Sequence, residues 1–257
     1  MIKNILTESK VHCITNYVSA REIINALYAI GARGYVGDDP DEVKDITEYC
    51  DSLLINIGTL NFRTIRSMLK AGLYANQLRR PIILQPQAIE TSTLRKNTIQ
   101  TFLNELHVDI IIGDICEIKE VYSLVSNRAV EEGKITVEQM ADIIAERKKC
   151  TVIIMDIDDY VTNGKESYTC KNRTGLLTTV FGYKCVYAAV AAAVVGTGLD
   201  AYKAAKWATL LMRAAREKTE EKLSAMDLGI GAFDEILINS LAKIDSIIGL
   251  LDEYRDK

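Results

Sequence analysis

No stretch of this chain reaches the roughly 18 uncharged apolar residues that a membrane-crossing helix needs. The richest run, 186–195, has the length of a buried helix segment. The first ten residues hold no apolar signal core. Proline is scarce, with 3 in 257 residues, and no Pro/Gly/Ser-rich tract, repeat or low-complexity segment divides the chain. The expectation is one domain over 1–257, a length that α/β domains commonly reach. An excess of positive charge is also lacking: the net charge is −4 and no segment forms a basic face. That argues against nucleic acid as a partner. The 6 cysteines show no CxxC spacing. They predict reduced thiols in a cytoplasmic protein, not a disulfide frame or a zinc site.

What is present is material for a large core, since 48% of residues are hydrophobic and 26% charged. Short apolar runs alternate with longer helical segments. Strands are expected over 11–15, 52–57, 81–84, 109–112 and 151–155. A hairpin over 160–162 and 167–170 is expected around Asn163-Gly164, a dipeptide that favours a type I′ turn. Helices are expected over 19–30, 61–78, 91–106, 136–147, 184–196, 200–222 and 232–251. In the first of these Ile23, Ile24, Leu27 and Ile30 share a face, and Gly31 ends it. Such alternation predicts a mainly parallel sheet with helices on both faces. Ligands of these sheets bind beyond the carboxyl ends of the strands. Asn16 and the segments 56–59, 85–88, 113–117 and 156–159 then share one rim, which 178–185 can reach.

Four segments on that rim could carry chemistry. The loop 178–185 leads into a helix of small residues, where free N–H groups and the positive dipole end favour an anion. Cys185 lies in the first turn, a position that tends to lower a thiol pKa; equally, the segment reads as a tight turn with Cys185 as a small core residue. Asn16 ends a strand and can bond a polar ligand group or cap a turn. His12, in mid-strand, reads as a satisfied core or edge residue. Asp114 and Glu117 have the spacing of a capping box, while Glu117 also suits a hydrated magnesium ion. Asp156, Asp158 and Asp159 form an acidic cluster that reads as a solvated turn and would repel a polyphosphate.

The segments add up to a resemblance. His12-Cys13-Ile14-Thr15-Asn16, Asn25-Ala26-Leu27-Tyr28-Ala29-Ile30-Gly31-Ala32 and Asn56-Ile57-Gly58-Thr59-Leu60 occur in order. Glu117-Ile118, Asp159-Tyr160-Val161-Thr162-Asn163-Gly164, Gly182 with Cys185 three residues on, and Gly229-Ile230-Gly231-Ala232-Phe233 follow. Over nearly its whole length the chain resembles the hydroxyethylthiazole kinase family. The resemblance implies a three-layer ribokinase-like α/β fold and a homotrimer with substrate pockets at subunit contacts. It implies transfer of the ATP γ-phosphoryl group, with Mg2+, to the hydroxyl of hydroxyethylthiazole in thiamine salvage. On that footing Cys185 matches the family's cysteine near the attacking hydroxyl. Asn16, Asn25, Val36 and Gly182 match the substrate side, and Glu117 matches the acidic residue near magnesium.

The departures gather where phosphate and metal are handled. The family's Gly-small-Gly-Cys loop is Gly182-Tyr183-Lys184-Cys185 here, so a glycine that lets backbone approach phosphate is replaced by Lys184. Its Asp-Pro-Val-Gly is Gln85-Pro86-Gln87-Ala88, and its Arg-Gly-Asn is Ile112-Gly113-Asp114. Its Thr-Gly-Glu is Met155-Asp156-Ile157. On the substrate side an asparagine is replaced by Arg21, and Ser-Pro-x-Met by Arg33-Gly34-Tyr35-Val36. Removing one group that stabilises developing charge commonly lowers a rate by about 10²–10³-fold, though groups acting together are not additive. These changes predict a family member impaired in phosphoryl transfer that binds a small molecule as a pseudokinase. The alternative is an active kinase of hydroxyethylthiazole or a related small alcohol, with Lys184 supplying a new cation for phosphate. A third reading is a partner subunit that assembles with an intact paralogue.

Overall fold

Strands whose every residue is apolar have no solvent face, and both their faces need covering. A computed structural model of the chain, which describes residues 6, 8–127, 133–171 and 182–243, shows how they are covered. The strands are β1 (Lys10–Ile14), β2 (Arg33–Val36), β3 (Ser52–Asn56), β4 (Ile82–Gln85), β5 (Ile110–Asp114), β6 (Thr151–Met155), β7 (Asp159–Thr162) and β8 (Ser167–Cys170). They form one sheet in the order β2-β1-β3-β4-β5-β6-β7-β8. Pairing is parallel from β2 to β6 and antiparallel from β6 through β7 to β8. Successive residues face opposite sides: Ile110 and Ile112 enter one core, Ile111 the other.

The first core is covered by α1 (Ala20–Ala29), α7 (Tyr183–Gly196), α8 (Ala201–Ala225) and α9 (Phe233–Ala242). The second is covered by α2 (Val43–Tyr49), α3 (Phe62–Leu78), α4 (Thr93–Glu105), α5 (Ile115–Ser126) and α6 (Val137–Lys148). The chain is therefore three-layered, as expected. Side chains fix several helix starts. Asn61 with Thr64, Asp114 with Glu117, and Thr136 with Gln139 form capping boxes, and Asp200 caps α8. Gly31 turns the chain at φ 92°, a conformation glycine adopts without steric cost. Among the described residues no helix is long and apolar enough to cross a membrane.

Two elements escape the sequence pattern. β2 carries exposed and half-buried residues because it is the edge strand, so it has no apolar run. α2 spans only 7 residues and lacks a side-chain cap. The hairpin forms, but not on a type I′ turn. Only Gly164 has positive φ, and the Asn163 Oδ1 accepts from Lys165 N and Glu166 N, closing a longer loop. The expected segment 178–181 and the expected helix beyond 243 lie outside the described residues.

Candidate functional site

Helix α7 sets the geometry of the rim. Its carbonyls at Ala192 and Ala193 accept bonds of 2.8 Å from Ser52 and Ser9, beside the amino ends of β3 and β1. Its first turn therefore lies at the carboxyl ends of the strands, with Gly182, Lys184 and Cys185. The Gly182 backbone passes close to Asp234: a Cβ there would lie 2.9 Å from Asp234 Oδ1.

Asn16, Asn56 and Gln87 surround the Cys185 sulfur, and Gln85 bonds Asn56. Asn16 Nδ2 donates to Gln87 Oε1 at 2.8 Å, to Asn56 Oδ1 at 3.3 Å and to the thiol sulfur at 3.4 Å. Asn56 Nδ2 donates to Gln85 Oε1 at 2.6 Å and to the same sulfur at 3.5 Å. The thiol donates to Gln87 Oε1 at 3.6 Å. Asn16 Oδ1 accepts from Ser19 N at 2.8 Å, so Asn16 is both a turn cap and part of this group. Gln85 Nε2 and Thr15 Oγ1 are buried without a protein partner. Cys185 is 1% exposed. Burial pushes its thiol above the ordinary range despite donors from Asn16 and Asn56. The expected lowering by the helix end is not seen, because desolvation of the thiolate outweighs it.

The second half of the rim is a closed charge network. Glu117 is 2% exposed. Its Oε1 accepts from Ala88 N at 3.0 Å and its Oε2 from Asp114 N at 2.8 Å. Asp114 Oδ1 accepts from Glu117 N at 2.9 Å, and Asp114 Oδ2 pairs with Lys184 Nζ. Burial raises the Glu117 carboxyl above the usual range, with Lys184 opposing. Burial alone would lower the Lys184 ammonium, but Glu117 and Asp114 outweigh it and hold it above its usual range. Lys184 thus turns to Asp114, and the cation expected to serve phosphate is already engaged.

A divalent magnesium ion would need oxygen ligands here. Each carboxylate oxygen of Asp114 and Glu117 already accepts from a protein donor, and a divalent ion between them would meet the Lys184 ammonium at Asp114 Oδ2. The residues present do not fit the metal. Among the described residues no group of three or more His, Cys, Asp or Glu side chains is placed to hold one either.

The remaining expected positions are dispersed. Ile112 (0% exposed) and Met155 (6%) both belong to the core under α7 and α8, with no polar group to offer a nucleotide. Val36 is half-exposed at the end of edge strand β2, and Asn25 is exposed on the outer side of α1. His12 is a satisfied core residue: its ring bonds Thr47 Oγ1 at 2.9 Å and Gly37 O at 3.0 Å, and burial lowers its pKa to about 4.

The acidic cluster is not a solvated turn throughout. Asp158 is exposed, but Asp159 is 1% exposed and accepts from Asp156 N at 3.2 Å. Burial pushes its carboxyl up to about 7, with Arg216 opposing. Arg216, itself 1% exposed, donates to Ile157 O at 3.3 Å and lies 5.7 Å from the Tyr183 ring. Tyr183 packs edge-on against Tyr187 and Phe233. Beyond β6, Arg216, Tyr183 and Tyr187 lie beside Asp159. In the sequence Tyr183 stands out only as part of the 182–185 loop, and Arg216 and Tyr187 do not stand out; a charged residue on the apolar side of an Ala-rich helix is the signal Arg216 leaves. A cleft of about 830 Å³ lies at the opposite end of the strands, beside the starts of β4, β5 and β6, lined by residues including Arg79, Asp109, Lys149 and Asp200, and shares no residue with the rim.

Comparison with known proteins agrees with the layered fold. The model of the hydroxyethylthiazole kinase family matches residues 4–246. Hydroxyethylthiazole kinase of Alkaliphilus oremlandii is 33% identical over 239 residues, 91% of this chain and 88% of that protein. Its counterpart in Lysinibacillus sphaericus is 34% identical over 241 residues, 91% of each. The solved structure of the hydroxyethylthiazole kinase protein from Pyrococcus horikoshii OT3 superposes with a TM-score of 0.84 at 28% identity, covering 94% of this chain and 92% of that one. An ADP complex of Bacillus subtilis pyridoxal kinase, at 12% identity and a TM-score of 0.63 over 82% of this chain and 92% of that chain, shares the fold.

Proposed function

Because the chain belongs to the hydroxyethylthiazole kinase family, we propose that it binds a small uncharged molecule of the hydroxyethylthiazole type, with phosphoryl transfer from ATP impaired. The observation that carries this reading is the Asp114–Glu117–Lys184 network, which spends on itself the charges that the rim could offer to phosphate and metal. Phosphoryl transfer depends on positioning and on charge stabilisation at the reacting oxygens. A lysine held by a carboxylate supplies little of either. The Ile112 and Met155 side chains add no donor on the nucleotide side.

The small-molecule half keeps its means of recognition. Asn16, Asn56 and Gln87 present neutral donors and acceptors around a thiol that burial keeps protonated. A protonated thiol can donate to a hydroxyl or ring nitrogen but is not a base. Gln85 Nε2 is a buried donor that a ligand acceptor would satisfy. The names of the relatives favour the competing reading, an active ATP-dependent kinase of the thiazole alcohol. In either case the functional unit is taken to be a homotrimer, which sedimentation of the purified chain would test.

Calorimetric titration separates the readings. Binding of hydroxyethylthiazole without binding of Mg-ATP supports impaired transfer. Tight Mg-ATP binding overturns it in favour of the active kinase. Binding of neither overturns the proposed ligand class.

A further inference from the structure

We propose that the Lys184 ammonium is this chain's resident cation at the junction of α5 and α7, and that its presence excludes divalent metal from Asp114 and Glu117. The proposal rests on the impaired-transfer reading and names the device behind it. Two carboxylates three residues apart bracket the start of α5. They are suitable neighbours for a helix N-terminus, but their charge needs an answer where one of them is 2% exposed. Three of their four oxygens are held by backbone N–H groups of Ala88, Asp114 and Glu117. The fourth, Asp114 Oδ2, carries no backbone donor, and Lys184 takes it.

Lys184 reaches it from a position that electrostatics alone would disfavour. A cation in the first turn of a helix meets the positive end of the dipole, and part of the Lys184 side chain is withdrawn from water, at 28% exposure. Both costs are offset only by the carboxylates opposite, which raise the ammonium's pKa. Gly113 keeps the bracket tight: a Cβ there would lie 3.0 Å from Glu117 Cβ and 3.1 Å from Glu117 Oε2. Glu117 therefore cannot swing out to ligate a metal without losing its bonds to Ala88 and Asp114. The ammonium offsets one of the pair's two charges through its contact with Asp114, where a divalent ion would demand additional oxygens.

The test uses the full chain, with free Mn2+ followed by electron paramagnetic resonance and melting followed by circular dichroism. Wild type is expected to leave the free-Mn2+ signal undepleted, and its melting temperature unmoved by Mn2+ or Mg2+ relative to sodium chloride of equal ionic strength. Lys184→Met is expected to melt lower, to recover part of the loss with Mn2+, and to bind Mn2+ at least about tenfold more tightly than wild type. Lys184→Arg keeps a cation in place and should behave as wild type. Depletion of free Mn2+ by wild type, or equal Mn2+ responses of wild type and Lys184→Met, would overturn the proposal. The wild-type measurement stands even where Lys184→Met fails to fold. Metal uptake without transfer to hydroxyethylthiazole defeats this proposal alone; metal uptake with transfer defeats the impaired-transfer reading as well.

Discussion

Removing Glu117 separates a structural bracket from a metal ligand. In Glu117→Ala the N–H groups of Ala88 and Asp114 lose their acceptor, and Lys184 loses one of two nearby carboxylates. Each backbone bond to a charged acceptor contributes about 1.5–3 kcal/mol. Part of that is offset, because the buried carboxylate itself is disfavoured, as its raised pKa shows. A net loss of about 3 kcal/mol is expected. At about 2–4 °C per kcal/mol for a domain of this size, the melting temperature should fall by about 6–12 °C. Differential scanning calorimetry without added metal measures it directly. Glu117→Gln keeps one acceptor oxygen and should fall about half as far. A metal ligand with no structural part would give the opposite pattern, with no loss in metal-free buffer. A change in Glu117→Ala below about 1 °C would refute the reasoning.

Other consequences follow from the same geometry. The folded-state pKa of Asp159, about 7, lies above its ordinary value. Its protonated form therefore contributes stability in full below about pH 4, and that contribution is lost as pH rises through 7. Asp159→Asn should flatten the fall in melting temperature between about pH 4 and 7, with Arg216 and Asp156 as the charged groups facing it; an unchanged slope would contradict the assignment. Cys116, exposed on α5, should alkylate with iodoacetamide in the folded protein, and Cys185 only after unfolding. Mass-spectrometric mapping of early adducts decides this, and Gln87→Ala should make Cys185 the next to react. In Gly58→Ala the new methyl would lie 2.4 Å from Gln87 Oε1 and 3.0 Å from Asn16 Cβ. Overpacking of this kind costs about 1–3 kcal/mol, and the variant should bind hydroxyethylthiazole more weakly in a titration.

The central strands were legible because a strand buried on both faces is an uninterrupted apolar run, as in Ile110, Ile111 and Ile112. Edge strand β2 was not, since Arg33 and Val36 face solvent and break any period. The capping pair Asp114–Glu117 could be read from a three-residue spacing, which is local. What Asp114 does with its other oxygen could not, because Lys184 lies 70 residues away in sequence. The same limit explains Cys185. Its place at a helix start is local and suggests a lowered pKa, while the burial that raises it comes from strands brought together by the fold. The resemblance placed Asn16 and Cys185 on one site, and the hydrogen bonds join them there. It could not show that Arg216 lies against Tyr183 beside Asp159, because Arg216 sits in no segment that carries the resemblance.

The most direct test of impaired transfer is the transfer itself. Purified protein would be incubated with radiolabelled γ-phosphate ATP, Mg2+ and hydroxyethylthiazole, and the phosphorylated thiazole separated by chromatography. The arrangement of Lys184, Asp114 and Glu117 predicts no product above a protein-free control. Turnover in the range usual for kinases, about 1–100 s⁻¹, would contradict it.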